Sequence, residues 1–308
     1  SALHLAGFNV SIDDIKNFRQ LHSKTAGHPE YGEADGVETT TGPLGQGLAT
    51  AVGMALGQKI IEKKMGQISN LFEGKTYVLA SDGCIMEGIS SEASSLAGHL
   101  KLNNLIVIYD SNDICLDGST DECFSEDTKL RYQSYGWMVQ SIDGHSFKMI
   151  NKAVEKAKQS DQPSLIIAKT TIGKGSPNLQ GTSEIHGKPM GSEEVEKTKK
   201  YFKIPTDAPF FVPREVKYYF ESRNINLKKA FLEWKETFHK WRVNYPEKSD
   251  EFDELTQPVD GLKLKEQLLT LDVAKNKATR SQSSQVLQVI AQNISNLIGG
   301  SADLSCSD

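Results

Sequence analysis

Cysteine is scarce in this sequence: four in 308 residues, at Cys84, Cys115, Cys123 and Cys306. No two of them form a C-x-x-C pair, which excludes a zinc ribbon or a redox dithiol of that spacing. Free thiols fit a reducing compartment, so the expected location is cytoplasmic. Positive charge is not in excess either. Lys and Arg number 35 against 40 Asp and Glu, a formal net charge of −5, so neither nucleic acid nor an anionic membrane is expected as a partner. No apolar run approaches the roughly 18 residues that a membrane helix needs. Internal repeats and low-complexity runs are absent, and no secretory signal follows Ser1. An initiator Met is absent too, and the first residues (Leu3, His4, Leu5, Ala6) already read as helix. The last residues follow closely on a strand-like run, Asn296-Leu297-Ile298, so the chain is expected to be part of something longer.

What is present is ordinary for a globular protein with a sizeable core: 38% hydrophobic and 24% charged residues. The length suggests about two domains, or one large domain and part of another. Ser11 with Asp13 and Asp14 signals a helix start, with the helix running to about Arg19. A polar, Gly-rich stretch from Lys24 to Gly47 is too long for a plain connection, and loops of that length are usually functional or disordered. A helix is expected over 48–64, its first half rich in Ala and Gly and suited to close packing.

Continuous apolar runs then alternate with helical patterns. Strands are expected at 76–80, 105–109, 136–139 and 164–168, with helices at 90–100 and 146–159. That alternation predicts right-handed βαβ units in a buried parallel sheet, an α/β fold. Past Lys188 the composition shifts. Helices are expected at 192–201 and 226–241, with an extended piece at 206–213 between them. A polar linker is expected at 245–263, and a helix followed by a strand over 281–297.

In an open parallel sheet, ligands gather at the carboxyl ends of strands. One strand here runs into Ser81-Asp82-Gly83-Cys84 and the next into Asp110-Ser111-Asn112-Asp113-Ile114. Asp82 and Asn112 stand 30 residues apart, the span of one βαβ unit. Asp82 offers a carboxylate and Asn112 a side-chain carbonyl oxygen. Magnesium takes one or two carboxylates and fills its octahedron with phosphate oxygens. Gly83 lets backbone N–H groups approach a diphosphate at the start of the next helix. An isolated Asp-Gly is a plain β-turn; the two preceding strands and the spacing favour a metal and diphosphate site.

Asp-Gly followed about thirty residues on by Asn, each after a strand, resembles the signature of thiamine-diphosphate enzymes. Surrounding motifs narrow this. They are Thr25-Ala26-Gly27-His28-Pro29-Glu30, Glu38 to Gly47, Asp82 to Gly88, His186-Gly187, Ala278-Thr279-Arg280 and Gly299 to Leu304. Taken in order across nearly the whole chain, they are similar to the transketolase family. Ser81 departs from that pattern, standing where the family usually has Gly.

The resemblance implies a thiamine-diphosphate-binding fold, mainly a parallel sheet with helices on both faces. It implies a diphosphate-binding domain over 1–243, incomplete at its start, a linker over 244–275, and the truncated start of a pyrimidine-binding domain over 276–308. The remainder of that second domain would supply a glutamate and an aromatic platform for the cofactor's pyrimidine ring. The implied activity moves a two-carbon ketol unit from a ketose phosphate of the xylulose 5-phosphate type. The acceptor is an aldose phosphate of the ribose 5-phosphate or erythrose 4-phosphate type. The alternatives are a related deoxyxylulose-phosphate or dihydroxyacetone synthase, or a non-catalytic transketolase-like subunit.

The cofactors implied are thiamine diphosphate and Mg²⁺, or Ca²⁺ in its place. Asp82, Asn112 and the carbonyl of Ile114 would hold the metal, and Gly83, Asn112 and His186 the diphosphate end. Gly42, Pro43 and Leu44 would line the ring site. His28 and His186 would be the catalytic and substrate-contacting imidazoles, groups that serve acid–base and oxyanion chemistry near neutral pH. Arg280 and Ser307 would bind the sugar phosphate. Glu87 would lie near the interface of a homodimer whose sites form between subunits. His145 reads as a turn-shaping residue, and Lys174 and Lys188 as exposed loop charges.

Overall fold

The computed structural model describes residues 1–66, 71–273 and 276–301. The chain divides into two compact units, Ser1–Phe231 and Leu232–Asp308. Four strands build the first: β1 (Thr76–Ser81), β2 (Leu105–Ser111), β3 (Met138–Asp143) and β4 (Ser164–Lys169). All pair in parallel, in the order β1-β2-β4-β3. The helices of this unit are α1 (Ala2–Leu5), α2 (Ile12–Lys16), α3 (Gln46–Met65), α4 (Asp82–Met86), α5 (Gly88–His99), α6 (Thr128–Ser134), α7 (Phe147–Lys158) and α8 (Ser192–Tyr201). A long helix, α9 (Arg214–Asn244), begins in this unit and runs into the second.

The expected α/β class is therefore present, and β2 shows why its run is apolar throughout. Leu105, Val107 and Tyr109 enter one core with Leu48 and Val52 of α3, Ala97 of α5 and Tyr132 of α6. Ile106 and Ile108 enter the other core with Ala153 and Ala157 of α7. A strand covered on both faces has no polar side to show. Strand register brings the carboxyl ends level: Ser81 pairs with Asp110, and Ser111 and Asp143 both pair with Lys169. The loops leaving β1, β2 and β4 therefore start side by side.

Several elements differ from the sequence expectation. β3 begins at Met138, not Gly136, and continues through Gln140 and Ser141. It is an edge strand, so its polar residues are tolerated, while Trp137 before it is buried and donates its indole N–H to the Ser94 carbonyl at 2.8 Å. α4 and α6 are too short to show a periodic pattern. Asp127 caps α6 by accepting the Leu130 N–H at 2.9 Å. The expected helix at 226–241 lies inside α9, which is longer at both ends.

In the second unit the stretch read as a linker is helical: α10 (Pro246–Thr256) and α11 (Gly261–Thr270), followed by α12 (Thr279–Asn293). Pro246 occupies the first turn of α10, where no N–H is needed, and Asp260 caps α11. The strand expected at 296–298 does not form. Leu297 and Ile298 are exposed, and no described segment pairs with them, so their apolarity has no sheet to enter. Trp241 is this unit's most buried large side chain, 5.6 Å from the Phe238 ring and 6.1 Å from that of Phe252.

Candidate functional site

β1 ends at Ser81 in extended backbone, and α4 starts immediately at Asp82. The carboxylate of Asp82 is 3% exposed. Its Oδ1 accepts the Tyr109 hydroxyl at 2.5 Å, and its Oδ2 accepts the Asn112 backbone N–H at 3.2 Å. Burial, and then the Asp82 acceptor beside it, push the Tyr109 phenol far above its usual range, so Tyr109 is a permanent donor here. No Lys, Arg or His pairs with Asp82 among the described residues. A buried carboxylate held only by neutral donors is under-compensated, which makes it a candidate for binding a cation.

The loop after β2 curls tightly. Asn112 Oδ1 accepts the Ile114 N–H at 3.0 Å, the Thr120 N–H reaches the Asp113 carbonyl at 2.9 Å, and Ile114 bridges Ser119. Asp113 takes a left-handed backbone, φ 64°, and its carboxylate meets Lys169 Nζ at 2.5 Å. Thr170, just past β4, donates its N–H to the Ser111 carbonyl at 3.1 Å and its hydroxyl to Asp110. The β2 and β4 loops are thus tied together at their roots.

The long 24–47 stretch is ordered by a few bonds. The Thr41 N–H reaches the Pro29 carbonyl at 3.2 Å, and the Tyr31 N–H reaches Thr40 Oγ1 at 3.0 Å. That closure sets His28 against Gly42, where φ is +139° and a Cβ would stand 2.7 Å from the imidazole Cγ. Two residues on, Leu44 rests over Gly83, whose Cβ would lie 3.1 Å from Leu44 Cδ1. Gly42 is needed where it stands, since its backbone conformation disfavours L side chains and a Cβ would press on His28, whereas at Gly83 a Cβ would only crowd the end of the Leu44 side chain. The Gly45 N–H also reaches Cys84. Burial raises that thiol, but hydrogen bonds from Ser81 and Gly45 outweigh it and hold the thiol below its usual value.

His186 sits on the loop leaving β4. It is half-buried, and its Nδ1 is buried without a hydrogen-bond partner. The base of its loop is anchored by buried Glu194 of α8, which accepts from the Ser176 hydroxyl and from the N–H and side-chain amide of Asn178, both at 2.8 Å.

The structure therefore gathers Asp82, Gly83, Asn112, Ile114 and Leu44 in one chain of contacts, and His28 with Gly42 at the other end of the same loop. Pro43 lies between, its carbonyl accepting the Gln46 N–H at 3.3 Å. His186 makes no hydrogen bond to these residues among those described. Arg280 is exposed in the first turn of α12, in the second unit. Ser307 lies outside the described residues, as do Ala302, Asp303 and Leu304. Glu87 is exposed. His145 orders a turn: its N–H reaches Asp143, and its Nε2 accepts the Thr171 N–H at 2.9 Å.

A cleft of about 430 Å³ opens beside Asp82, lined also by Tyr109, Ser111, Asp113 and Thr120. A larger cavity of about 750 Å³, between the end of α3 and the end of α5, holds none of the site residues. Among the described residues no three His, Cys, Asp or Glu side chains converge on one point. One carboxylate, one amide oxygen and one backbone carbonyl make a different donor set, of the kind a hard cation accepts when phosphate oxygens complete its shell.

The family model described as "Transketolase, thiamine diphosphate binding domain" matches residues 1–259. The chain belongs to the transketolase family. A transketolase of Halalkalibacterium halodurans is 43% identical over 315 residues, covering 100% of this chain and 46% of that protein. A transketolase from Leishmania mexicana superposes with a TM-score of 0.87 at 37% identity, covering 99% of this chain and 46% of that one. A Pichia stipitis transketolase in complex with sedoheptulose 7-phosphate superposes with a TM-score of 0.86 at 38% identity, over the same shares. The chain thus spans about half the length of the transketolases it matches. No described helix is long and apolar enough to cross a membrane.

Three site contacts escaped the sequence. Tyr109 is hidden in an apolar strand run, and only the fold aims its hydroxyl at Asp82. Thr170 and the Gly45–Cys84 contact join segments with no local pattern in common.

Proposed function

We propose that this chain is the diphosphate-binding half of a transketolase. The enzyme would transfer a two-carbon ketol unit from a ketose phosphate of the xylulose 5-phosphate type. The acceptor would be an aldose phosphate such as ribose 5-phosphate or erythrose 4-phosphate. One observation carries the reading: a buried Asp82, with no Lys, Arg or His beside it among the described residues, in hydrogen-bond contact with Asn112 across two adjacent strand ends. The family match supports thiamine diphosphate as the cofactor.

The residues present fit that group. Asp82, Asn112 and the Ile114 carbonyl would hold Mg²⁺, or Ca²⁺, and the metal would supply the charge Asp82 lacks. Gly83, Asn112 and His186 would contact the diphosphate, and the unpartnered His186 Nδ1 supports a polar ligand at that point. Gly42, Pro43 and Leu44 would line the ring site. Bound thiamine diphosphate supplies nucleophilic carbon for C–C cleavage and formation. His28 and His186 would orient the sugar's oxygens and move protons at its hydroxyls. Arg280 and Ser307 would bind the sugar's phosphate. We further propose a cytoplasmic homodimer with sites completed between subunits. Its diphosphate domain would span 1–243, a linker 244–275, and the start of the pyrimidine domain 276–308.

Calorimetric titration of the chain with thiamine diphosphate, with and without Mg²⁺, tests the site. Binding is expected only with the metal; equal affinity without it would refute the assignment. Asp82→Ala is expected to abolish metal-dependent binding, and an unchanged isotherm would remove Asp82 from the site.

A further inference from the structure

Asp82 and Asn112 belong to two separate segments, α4 and the loop between β2 and α6, and one side chain touches both segments. Arg131, in the middle of α6, has a side chain only 16% exposed. Its Nη2 donates to the Ile85 carbonyl at 3.0 Å. Ile85 stands three residues after Asp82, one turn along α4. A helix of five residues cannot satisfy its own last carbonyls, so α4 must be held from outside. The Ser90 hydroxyl donates to the neighbouring Cys84 carbonyl in the same way. The other side of the guanidinium meets the loop. Nη1 lies 2.8 Å from Glu126 Oε2 and also donates to Ser91 Oγ of α5 at 3.2 Å. The guanidinium carbon stands 5.9 Å from the centre of the Phe124 ring. Phe124 is bonded back toward Asn112. Its N–H reaches the Thr120 carbonyl at 2.8 Å, and the Thr120 N–H reaches the Asp113 carbonyl at 2.9 Å.

The helix that carries Arg131 is itself anchored. Tyr132, the next residue, is fully buried; it accepts the Ser94 hydroxyl at 3.1 Å and packs edge-on against Trp137 with ring centres 5.1 Å apart. The Arg131 Nε is buried with no acceptor among the described residues. A buried nitrogen left unpaired is unfavourable, so the contacts of the two Nη groups are what hold the guanidinium in this place. We propose that Arg131 is a positioning residue: its guanidinium fixes the Asp82 helix against the Asn112 loop and so sets the spacing of the metal ligands. This rests on the reading of Asp82, Asn112 and Ile114 as that ligand set, and Arg131 itself touches neither metal nor cofactor.

Only a fork does this. A guanidinium presents planar donors to a carbonyl on one side and a carboxylate on the other while its face covers an aromatic ring. A lysine ammonium in the same place keeps the charge but is a single point, and it holds one segment or the other. Loosening one segment against the other has a signature that partial unfolding lacks. Magnesium demands near-ideal octahedral geometry, whereas calcium accepts flexible shells of six to eight oxygens. Ligands that lose their mutual spacing therefore lose Mg²⁺ affinity faster than Ca²⁺ affinity. A smaller folded fraction lowers both in equal proportion.

The test titrates Mg²⁺ and, separately, Ca²⁺ into the chain in the presence of thiamine diphosphate, for the parent, Arg131→Lys and Arg131→Gln. Circular dichroism fixes a temperature at which each variant is folded, and Arg131→Lys carries the test alone if Arg131→Gln does not fold. In both variants Mg²⁺ is expected to bind roughly tenfold more weakly. Ca²⁺ is expected to lose less, so the ratio of Mg²⁺ to Ca²⁺ affinity falls. Equal losses for the two ions would overturn the proposal and leave Arg131 a residue of stability alone. Parent-like affinities in Arg131→Lys would overturn it too, since the charge without the fork would then suffice. A parent chain that binds neither ion would sink the site reading first, and the role of Arg131 with it.

Discussion

Tyr109 donates its hydroxyl to a carboxylate that water hardly reaches. Removing that donor in Tyr109→Phe leaves one oxygen of Asp82 unsatisfied, at a cost of about 1–3 kcal/mol. Thermal denaturation should show the loss, and Mg²⁺ should bind roughly tenfold more weakly, as when a partner of a metal ligand is removed. If both measurements match the parent chain, Tyr109 does not position Asp82. Gly42 is a second such residue. Alanine there meets a backbone that L residues avoid and would sit 2.7 Å from His28. Gly42→Ala should weaken thiamine diphosphate binding in a calorimetric titration while leaving the sheet's circular dichroism intact. The Asp82 and Gly42 motifs were legible in the sequence, because each residue type is chosen by its own chemistry. Tyr109 was not, because an aromatic in a strand looks the same whether or not its hydroxyl has work to do.

At the scale of elements, α5 and α8 hold the site from outside it. A Cβ on Gly98 of α5 would lie 1.8 Å from the Tyr135 carbonyl, so the helix touches the entry to β3 backbone to backbone. Gly98→Ala must push them apart and should destabilise the unit by about 1–3 kcal/mol in urea unfolding, despite alanine's better helix propensity. An increase in stability would show the contact to be slack. α8 acts through Glu194. The Ser176 hydroxyl first, then Asn178, hold its carboxyl below the usual value. A lowered carboxyl pKa contributes stability that is complete above the unfolded value of about 4.3 and is lost as pH falls through the folded one. Protection factors for hydrogen exchange in the 176–186 loop should therefore fall in acid below about pH 4 and stay constant from there to neutrality. In Glu194→Gln that acid step should vanish. α8 was readable from its periodic charges, whereas its grip on the His186 loop joins residues 16 and 18 positions apart and left no local signal.

For the whole molecule, the chain spans about half of a transketolase, and its site is proposed to need the other half. Assayed alone with xylulose 5-phosphate and ribose 5-phosphate, it should bind cofactor without turnover, and a full-length protein carrying it should turn over. Reaction of that full-length protein with pyruvate and glyceraldehyde 3-phosphate instead would favour a deoxyxylulose-phosphate synthase. By itself the sequence determined the α/β class, three of the four strands nearly to the residue, and the order of the motifs. Those features depend on local periodicity and on side-chain chemistry, which a linear chain displays. Tertiary structure decided the rest. β3 starts late because Trp137 is claimed by the core, and it stays polar because it lies at the sheet's edge. The apolar run at 296–298 forms no strand because a strand exists only beside a partner. Asp82 and Asn112 were ligand types in the sequence, but what brings them into hydrogen-bond contact is the parallel register that sets Ser81 opposite Asp110. Register is a property of two segments at once, and no single segment carries it.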